Sequence, residues 1–510
     1  MSLLLSVDLG TEGVRAGAFD EAGRLLATAH SPVPTTHPHP GWAEQDPRDW
    51  WTALVAASRA VLADPASAGA GPVSGIAVAT TSSTVAVLDA DGEPLRPALL
   101  WMDVRASAQA DRTAGLTGQH PVLVWSGGDD AAEWLVPKAM WLAEHEPDVW
   151  DRAAHVVEAV DHLTHRLTGR WVGSQLNAVC KWNHDPFTGR VPPGLYADLG
   201  IADLADKLPA EVLPVGAVAG PLAPGPAAEL GITGSPVVAV GGIDAHMSLL
   251  GCGRPGPGLV SIVGGTSSAL IAEAPDLGPS TEVWGPYPDA LHAGQWLVEC
   301  GQVSSGSVLR WLCEDVLGTP REELPALVAE AGNVPADSHG LLVLDHFMGN
   351  RTPYRDPRLR GAVLGLTIGA TPAQLYRAAV EGVAYGTRAA LEAMERAGVP
   401  ARRLVLSGGI RHNPLWVQVT SEVLGRPLEL VETDNLTLRA GAVVAAAATG
   451  LYADLDDAAE AYAPTTRTIT PSAAVTDTYA AGYDRYRRGT TALAPLMHEL
   501  ADATGNGVVR

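Results

Sequence analysis

Apolar residues at 3–5 resume at Val7 and stop at Asp8, and a second apolar stretch runs from Val14 to Phe19. Short apolar runs bounded by glycine read as buried strands. The pattern predicts a hairpin: strand "LLLSVD" (3–8), turn "LGTEG", strand "VRAGAFD" (14–20). The same form recurs at "GLVSIV" (258–263), "GGTSS" (264–268) and "ALIAEA" (269–274). Gly10-Thr11 and Gly265-Thr266 lie 255 residues apart, half the chain length. One structural unit used twice would produce that spacing, although two hairpins can also agree by chance.

Further alternation lies between and after these hairpins. "SGIAVATTSSTVAVLDADGEPL" (74–95) predicts strand, Thr/Ser turn, strand, then an Asp-Gly turn at 91–92. "RLVLSGGIRHNPLWVQVTSEVLGRPLELV" (403–431) predicts strand, glycine turn, amphipathic helix, strand. Such order indicates α/β layers with mixed sheets. Pro- and Gly-rich stretches at 214–226 and 253–258 place a domain boundary near 250, giving units 1–250 and 251–510. Against that boundary stands "GGIDAHMSLLGCG" (241–253): a glycine turn after a strand, then Asp244, His246 and small apolar residues at helical spacing. Asp244 is either a helix N-cap or a general base aimed into a cleft on the seam.

Composition narrows the classes. Across 510 residues, 46% hydrophobic and 18% charged content are globular values. A net charge of −23 opposes nucleic acid or an anionic membrane as a partner. A phosphate-bearing ligand must then be held by local donors. The four cysteines, Cys180, Cys252, Cys300 and Cys313, have no metal-ligand spacing and suit a reducing compartment. The start carries no basic leader, and the apolar stretch Ala440–Ala448 is too short for a bilayer. A cytoplasmic protein is expected, and the last ten residues read as a tail. Only three of the 34 basic residues are lysines: Lys138, Lys181 and Lys207.

Backbone amides and the Thr11 hydroxyl of "VDLGTEGVR" (7–15) are suited to cradling phosphate oxygens, with Asp8 able to bind Mg²⁺ through water. Alone, a plain hairpin turn explains that segment as well. "VGGTSS" (263–268) offers the same donors from the other half. "LSGGIRHNP" (406–414) is either an adenine slot or an ordinary strand-to-helix turn, with Asn413 before Pro414 at the helix start. "GCGRPG" (251–256) fits a dinucleotide fingerprint only literally, because Pro255 spoils it. "HPHP" (37–40) reads as surface. Candidates for a small polar substrate are Trp101, Met102, Asp103 and Arg105, then Glu133, Trp134 and Lys138, then Lys181, Trp182 and Glu299. Two of three lysines beside tryptophans suggest a polyol or sugar pocket, against solvated charges near core tryptophans.

In this order the segments resemble the FGGY carbohydrate kinases, of the actin/hexokinase/Hsp70-like ATPase superfamily. The later family signature is met in full by "GAVLGLTIGATPAQLYRAAVE" (361–381); the earlier one, at 133–145, fits at Lys138, Trp141 and Leu142 but has Leu135 where a small residue or proline is usual. Val104 replaces an expected histidine. "DAHM" (244–247), "GNRTPYRDPRLRG" (349–361) and "VLSGGIRHNPLW" (405–416) look most like the ribulokinase branch. The resemblance implies an α/β fold of two RNase H-like domains around an interdomain active-site cleft. It implies ATP and Mg²⁺ as cofactors, and transfer of the γ-phosphate to the terminal hydroxyl of a ketopentose such as ribulose. It implies Asp244 as catalytic base, with Asp8 and Asp244 around Mg²⁺ through water. Gly10, Thr11, Arg15, Gly265, Thr266, Ser267, Gly408, Gly409 and Asn413 would hold ATP. Thr81, Met102, Asp103, Glu133, Lys181, Asp244 and Glu299 would contact the sugar. A kinase for xylulose, a tetritol or glycerol and a non-catalytic sensor on the same fold are the alternatives, and a homodimer is left open.

Overall fold

The computed structural model describes residues 2–503 apart from Pro193, Thr433 and Asp434. Its first sheet grows from the N-terminal hairpin. β1 (Leu3–Gly10) pairs antiparallel with β2 (Gly13–Asp20), which pairs with β3 (Leu25–Pro32). On its other side β1 runs parallel to β4 (Val73–Thr80). β5 (Val218–Pro221) and β6 (Val237–Ile243) complete the order β5-β6-β4-β1-β2-β3. Every residue of β1 is buried, which explains its unbroken apolar reading.

The second sheet repeats this plan. β7 (Leu259–Gly264) and β8 (Ser268–Ala274) form the hairpin; β9 (Trp284–Pro288) and β10 (Trp296–Gln302) extend it. β11 (Arg403–Ser407) and β12 (Leu428–Val431) add in parallel, and β13 (Thr466–Ile469) closes an edge, in the order β9-β10-β8-β7-β11-β12-β13. Three antiparallel strands followed by two parallel ones, β3-β2-β1-β4-β6 and β10-β8-β7-β11-β12, therefore occur twice. The two-domain RNase H-like expectation holds, and the repeat seen faintly in the hairpins is one of whole sheets.

Two departures from the sequence reading matter for the site. The glycines at 241–242 do not form a turn: β6 continues through them to Ile243. The pairing with β4 shifts register between Ala239 and Gly242, and a Cβ on Gly241 would lie 1.8 Å from the Val78 carbonyl oxygen. Only glycine fits that bulge, which sets the direction in which the next residues leave the sheet. Secondly, a helix from the later half, α6 (Leu436–Ala448), packs on β1, β4 and β6 of the first sheet and on α3 (Asp244–Gly251). Its small residues permit backbone contact. The seam is thus a packed apolar layer joining both sheets, from Leu4 and Ala79 through Val443 to Val405.

The Asp-Gly turn at 91–92 and the strand–helix–strand over 403–431 are as expected, the helix being α5 (Pro414–Leu424). The four cysteines are buried free thiols, and His37 and His39 are exposed. Among the described residues no helix is long and apolar enough to cross a membrane, and no cluster of three metal-ligating side chains occurs. The C-terminal helix α7 runs from Thr476 to Ala503; the rest of the tail, 504–510, lies outside the described residues.

Candidate active site

The ends of β1, β4 and β6 face the ends of β7 and β11 across a cleft of about 600 Å³. In mixed α/β sheets the carboxyl ends of parallel strands are where side chains and loop amides converge. Here those ends deliver Asp8, Thr81 and Asp244 from one side, Gly265 and Gly408 from the other.

Asp244 is the first residue of α3, and Ile243 occupies the cap position, so the carboxylate is not an N-cap. Among the described residues its Oδ1 accepts from the next amide alone, Ala245 N, at 2.7 Å. Burial pushes its carboxyl up to about 7; Asp8 and Glu299 add to this, and the Ala245 amide and Arg15 oppose it. An exposed aspartate titrates near 3.9; the cleft shifts this one by withholding water and adding like charge. Asp8 is also raised, first by burial, with Arg15 and the Asn435 side chain pulling it down. Arg15 lies directly opposite Asp8 on β2, its Nη1 3.2 Å from Asp8 Oδ2. Among the described residues nothing hydrogen-bonds to the buried Asp8 Oδ1. An acid oxygen held dry and unpaired beside a second acid fits a cation.

Both Gly-Thr turns border the cleft with their carbonyls tied from behind. Gln45 Nε2 donates to Thr11 O (2.8 Å), and Trp101 Nε1 donates to Thr11 Oγ1 (2.9 Å), so the threonine proton is free to point outward. In the second turn Ser305 N and Ser307 N donate to Thr266 O, and Gly306 N to Gly265 O. Gly408 and Gly409 form the wall beyond it. Gly408 has φ +87° and would place a Cβ 2.5 Å from Gly264 O, so this crossing of strand ends requires glycine.

At the opposite end a charged belt lies over aromatic rings. Glu299, in the middle of β10 and not at a strand end, accepts from His246 Nε2 at 3.1 Å and faces Lys181 Nζ at 3.7 Å. Burial alone would raise this carboxyl; Lys181, His246 and Arg351 outweigh it and hold it well below the usual carboxylate range. Burial lowers the His246 pKa, leaving a neutral ring that donates from Nε2. Lys181 ends α2 (Gln175–Lys181) and sits 4.5 Å from the Trp134 ring centroid and 5.6 Å from that of Trp284. Ionised groups above indole faces form a surface for hydroxyl-bearing rings or chains.

Gly10, Thr11, Arg15, Thr81, Glu133, Lys181, Asp244, Gly265, Thr266, Ser267, Glu299, Gly408 and Gly409 all border the cleft with Asp8. Six expected residues do not: Met102, Asp103, Arg105, Lys138, Trp182 and Asn413. Asp103 has a fully buried side chain whose oxygens accept from Ala43 N (2.7 Å) and from Arg105, itself stacked on Trp42. Its acceptor capacity is spent on folding. Met102 lies in the turn beside it and only Trp101 reaches the cleft. Asn413 is the N-cap of α5, its Oδ1 accepting from Trp416 N and its Nδ2 donating to the Tyr376 hydroxyl. Lys138 is likewise no pocket residue. It lies on α1 (Leu135–His145), fully buried, and donates to the Ser83 and Leu100 carbonyls at 2.6 and 2.7 Å. Trp284, Arg351 and Asn435 border the cleft without having been singled out. Arg351 stood in the quoted "GNRTPYRDPRLRG", where an arginine inside a Gly/Pro loop was the available signal.

Residues 3–251 match the N-terminal domain, and residues 260–449 the C-terminal domain, of the FGGY family of carbohydrate kinases. The chain belongs to this family. A human FGGY carbohydrate kinase domain-containing protein is 32% identical, the match covering 89% of this chain and 90% of that protein. A ribulokinase of Bacillus licheniformis is 30% identical over 87% of this chain and 85% of its own length. The crystal structure of a xylulose kinase from Rhodospirillum rubrum is 27% identical, with a TM-score of 0.85 over 97% of this chain and all 100% of that one. The cleft is therefore that of an FGGY carbohydrate kinase, an enzyme acting on a sugar or polyol.

Proposed function

We propose that this kinase transfers the γ-phosphoryl group of ATP to the terminal hydroxyl of a ketopentose, with ribulose the first candidate. The observation that carries the reading is Asp244, which opens a helix between two phosphate-type turns and the Glu299–Lys181 belt. The likeness to a ribulokinase at 30% identity supports the pentulose; the likeness to a xylulose kinase keeps its stereochemistry open to assay. Residues 1–250 and 251–510 are the two bodies we assign to the sugar and nucleotide sides, in a cytoplasmic protein.

In this mechanism the turns at Gly10-Thr11 and Gly265-Thr266-Ser267, with Arg15, hold the phosphates. Gly408 and Gly409 border the adenosine. Asp8, with its unpaired oxygen, and Asp244 would hold Mg²⁺ through water; bound there it supplies neutralisation of phosphate charge. Lys181 and Glu299 fix the sugar so that its terminal oxygen meets Asp244. That oxygen attacks the γ-phosphorus, its proton passes to the Asp244 carboxylate, and the bond to the β,γ-bridging oxygen breaks to release ADP. Burial makes the Asp244 carboxylate a stronger base than an exposed aspartate.

A coupled ADP-release assay over ketopentoses, tetritols and glycerol tests the reading. A pentulose should give the highest kcat/KM. Asp244→Asn should bind ATP and sugar nearly normally yet lose about 10²–10⁴-fold in turnover; full turnover by this variant would refute the assigned base.

A further inference from the structure

Arg351 belongs to the second half, yet its guanidinium reaches across the cleft to Glu133 of the first. The segment that carries it is braced. Asn350 and Asp356 exchange backbone hydrogen bonds at 2.9 and 2.8 Å, and Asn350 Oδ1 accepts from Tyr354 N. The adjacent Thr352 accepts from Gly301 N (2.8 Å) and donates to Gly301 O (3.1 Å), two residues beyond Glu299 on β10. A long cation on a fixed loop loses less freedom when it binds something.

Its surroundings leave it underused. Among the described residues its hydrogen-bond acceptor is Glu133 Oε1, at a long 3.5 Å. Its Cζ sits 4.8 Å from the Trp284 ring centroid, the same indole that Lys181 overlooks at 5.6 Å. Arginine carries five N–H donors and no acceptor. The side chain is only 14% exposed, so those donors face the enclosed cleft rather than open solvent. Arg351 also acts on Glu299, helping to hold its carboxyl low, and both side chains border the cleft that Asp244 faces.

We infer that Arg351 is a specificity-determining residue: it donates hydrogen bonds to substrate hydroxyls remote from the phosphorylated one, and so measures the length of the sugar. The inference rests on the kinase reading above. Because Arg351 meets Glu133 from the opposite half, a chain long enough to reach it also draws the two halves together. On this reading a pentulose carries hydroxyls remote from the phosphorylated one for the guanidinium to bind, and a triol has fewer to offer it.

Arg351→Met keeps a flexible apolar contact with Trp284 and removes every donor. The KM for the preferred pentulose should rise about ten- to a hundredfold, as for loss of a charge-assisted hydrogen bond, while the ATP KM stays within twofold. The KM for glycerol should not move, and Arg351→Lys should restore part of the loss. Equal losses on pentulose and glycerol, or an unchanged pentulose KM, overturn the role of Arg351 alone. Wild-type protein that phosphorylates no ketopentose or polyol overturns the kinase reading itself, and this inference with it.

Discussion

The two Gly-Thr turns have one topology and different chemistry. Two positions before Gly10 stands Asp8, paired across the hairpin with Arg15; two positions before Gly265 stands Val263, paired with Ala269. Opposite charges face each other in the first hairpin, and two apolar side chains occupy the same places in the second. Both turns keep backbone amides and a threonine hydroxyl on the cleft. The fold thus supplies the same turn twice, and the phosphate and Mg²⁺ roles proposed above differ between the two copies by one acid. Function is grafted on a repeated scaffold by a pair of residues.

Asp8→Asn strikes that difference hardest. It keeps the side-chain shape and the contact to Arg15 but removes the charge. The Mg²⁺ concentration for half-maximal ADP release should rise about ten- to a hundredfold, whereas Val263→Ala should leave it where it was. A magnesium titration of both variants reads this directly. If both variants titrate like the wild type, Asp8 is only a buried ion-pair partner and the asymmetry carries no cation chemistry.

The asymmetry was visible in the sequence because strand ends with polar residues interrupt apolar runs, and Asp8 and Asp244 both do so. The doubled hairpin was legible for the same reason. What escaped was set by contacts distant along the chain. Asp103 looked like Asp8, an acid after an apolar segment, but Arg105 and the Ala43 amide, 60 residues away, consume its oxygens. Asn413 looked like a nucleotide contact and is a helix cap, a role its neighbour Pro414 already favoured. Arg351 enters the cleft only because Thr352 is clamped to Gly301. No local pattern announces that. Helix α6, from the later half yet packed on the first sheet, was hidden because its alanine-rich run fits any buried helix.

A milder test compares the two hydroxyls. Thr11 already accepts from Trp101, which fixes its rotamer, while the Thr266 main chain is fixed through its carbonyl. Thr11→Val strands the Trp101 N–H as well as losing an outward donor; Thr266→Val loses the donor alone. The ATP KM should rise about two- to tenfold for Thr266→Val, as for a neutral hydrogen bond. Thr11→Val should exceed it and also lower the melting temperature. Equal effects would mean that the indole contact contributes nothing to holding the first turn.

The smallest effect separates an acid kept for a cation from one merely trapped. Asp130, like Asp8, is buried with Oδ1 unpaired, but it does not border the cleft; its Oδ2 accepts from Asn183 Nδ2 at 2.8 Å. Burial pushes its carboxyl up to about 6, the Asn183 bond opposing and Asp129 reinforcing. Because the folded pKa exceeds the unfolded value of 3.8, the folded state holds the proton more tightly. The stability this lends is complete below the unfolded pKa and is lost as pH rises through about 6. Asp130→Asn retains an acceptor for Asn183 and cannot ionise, so it escapes the loss. Between pH 5 and pH 7.5 the variant should gain on the order of 1 kcal/mol over the wild type, or roughly 1–2 °C in melting temperature. Its Mg²⁺ requirement should stay that of the wild type, in contrast to Asp8→Asn. A gap in melting temperature that is the same at both pH values would mean that Asp130 does not change its protonation between them, so that burial does not hold its carboxyl near 6.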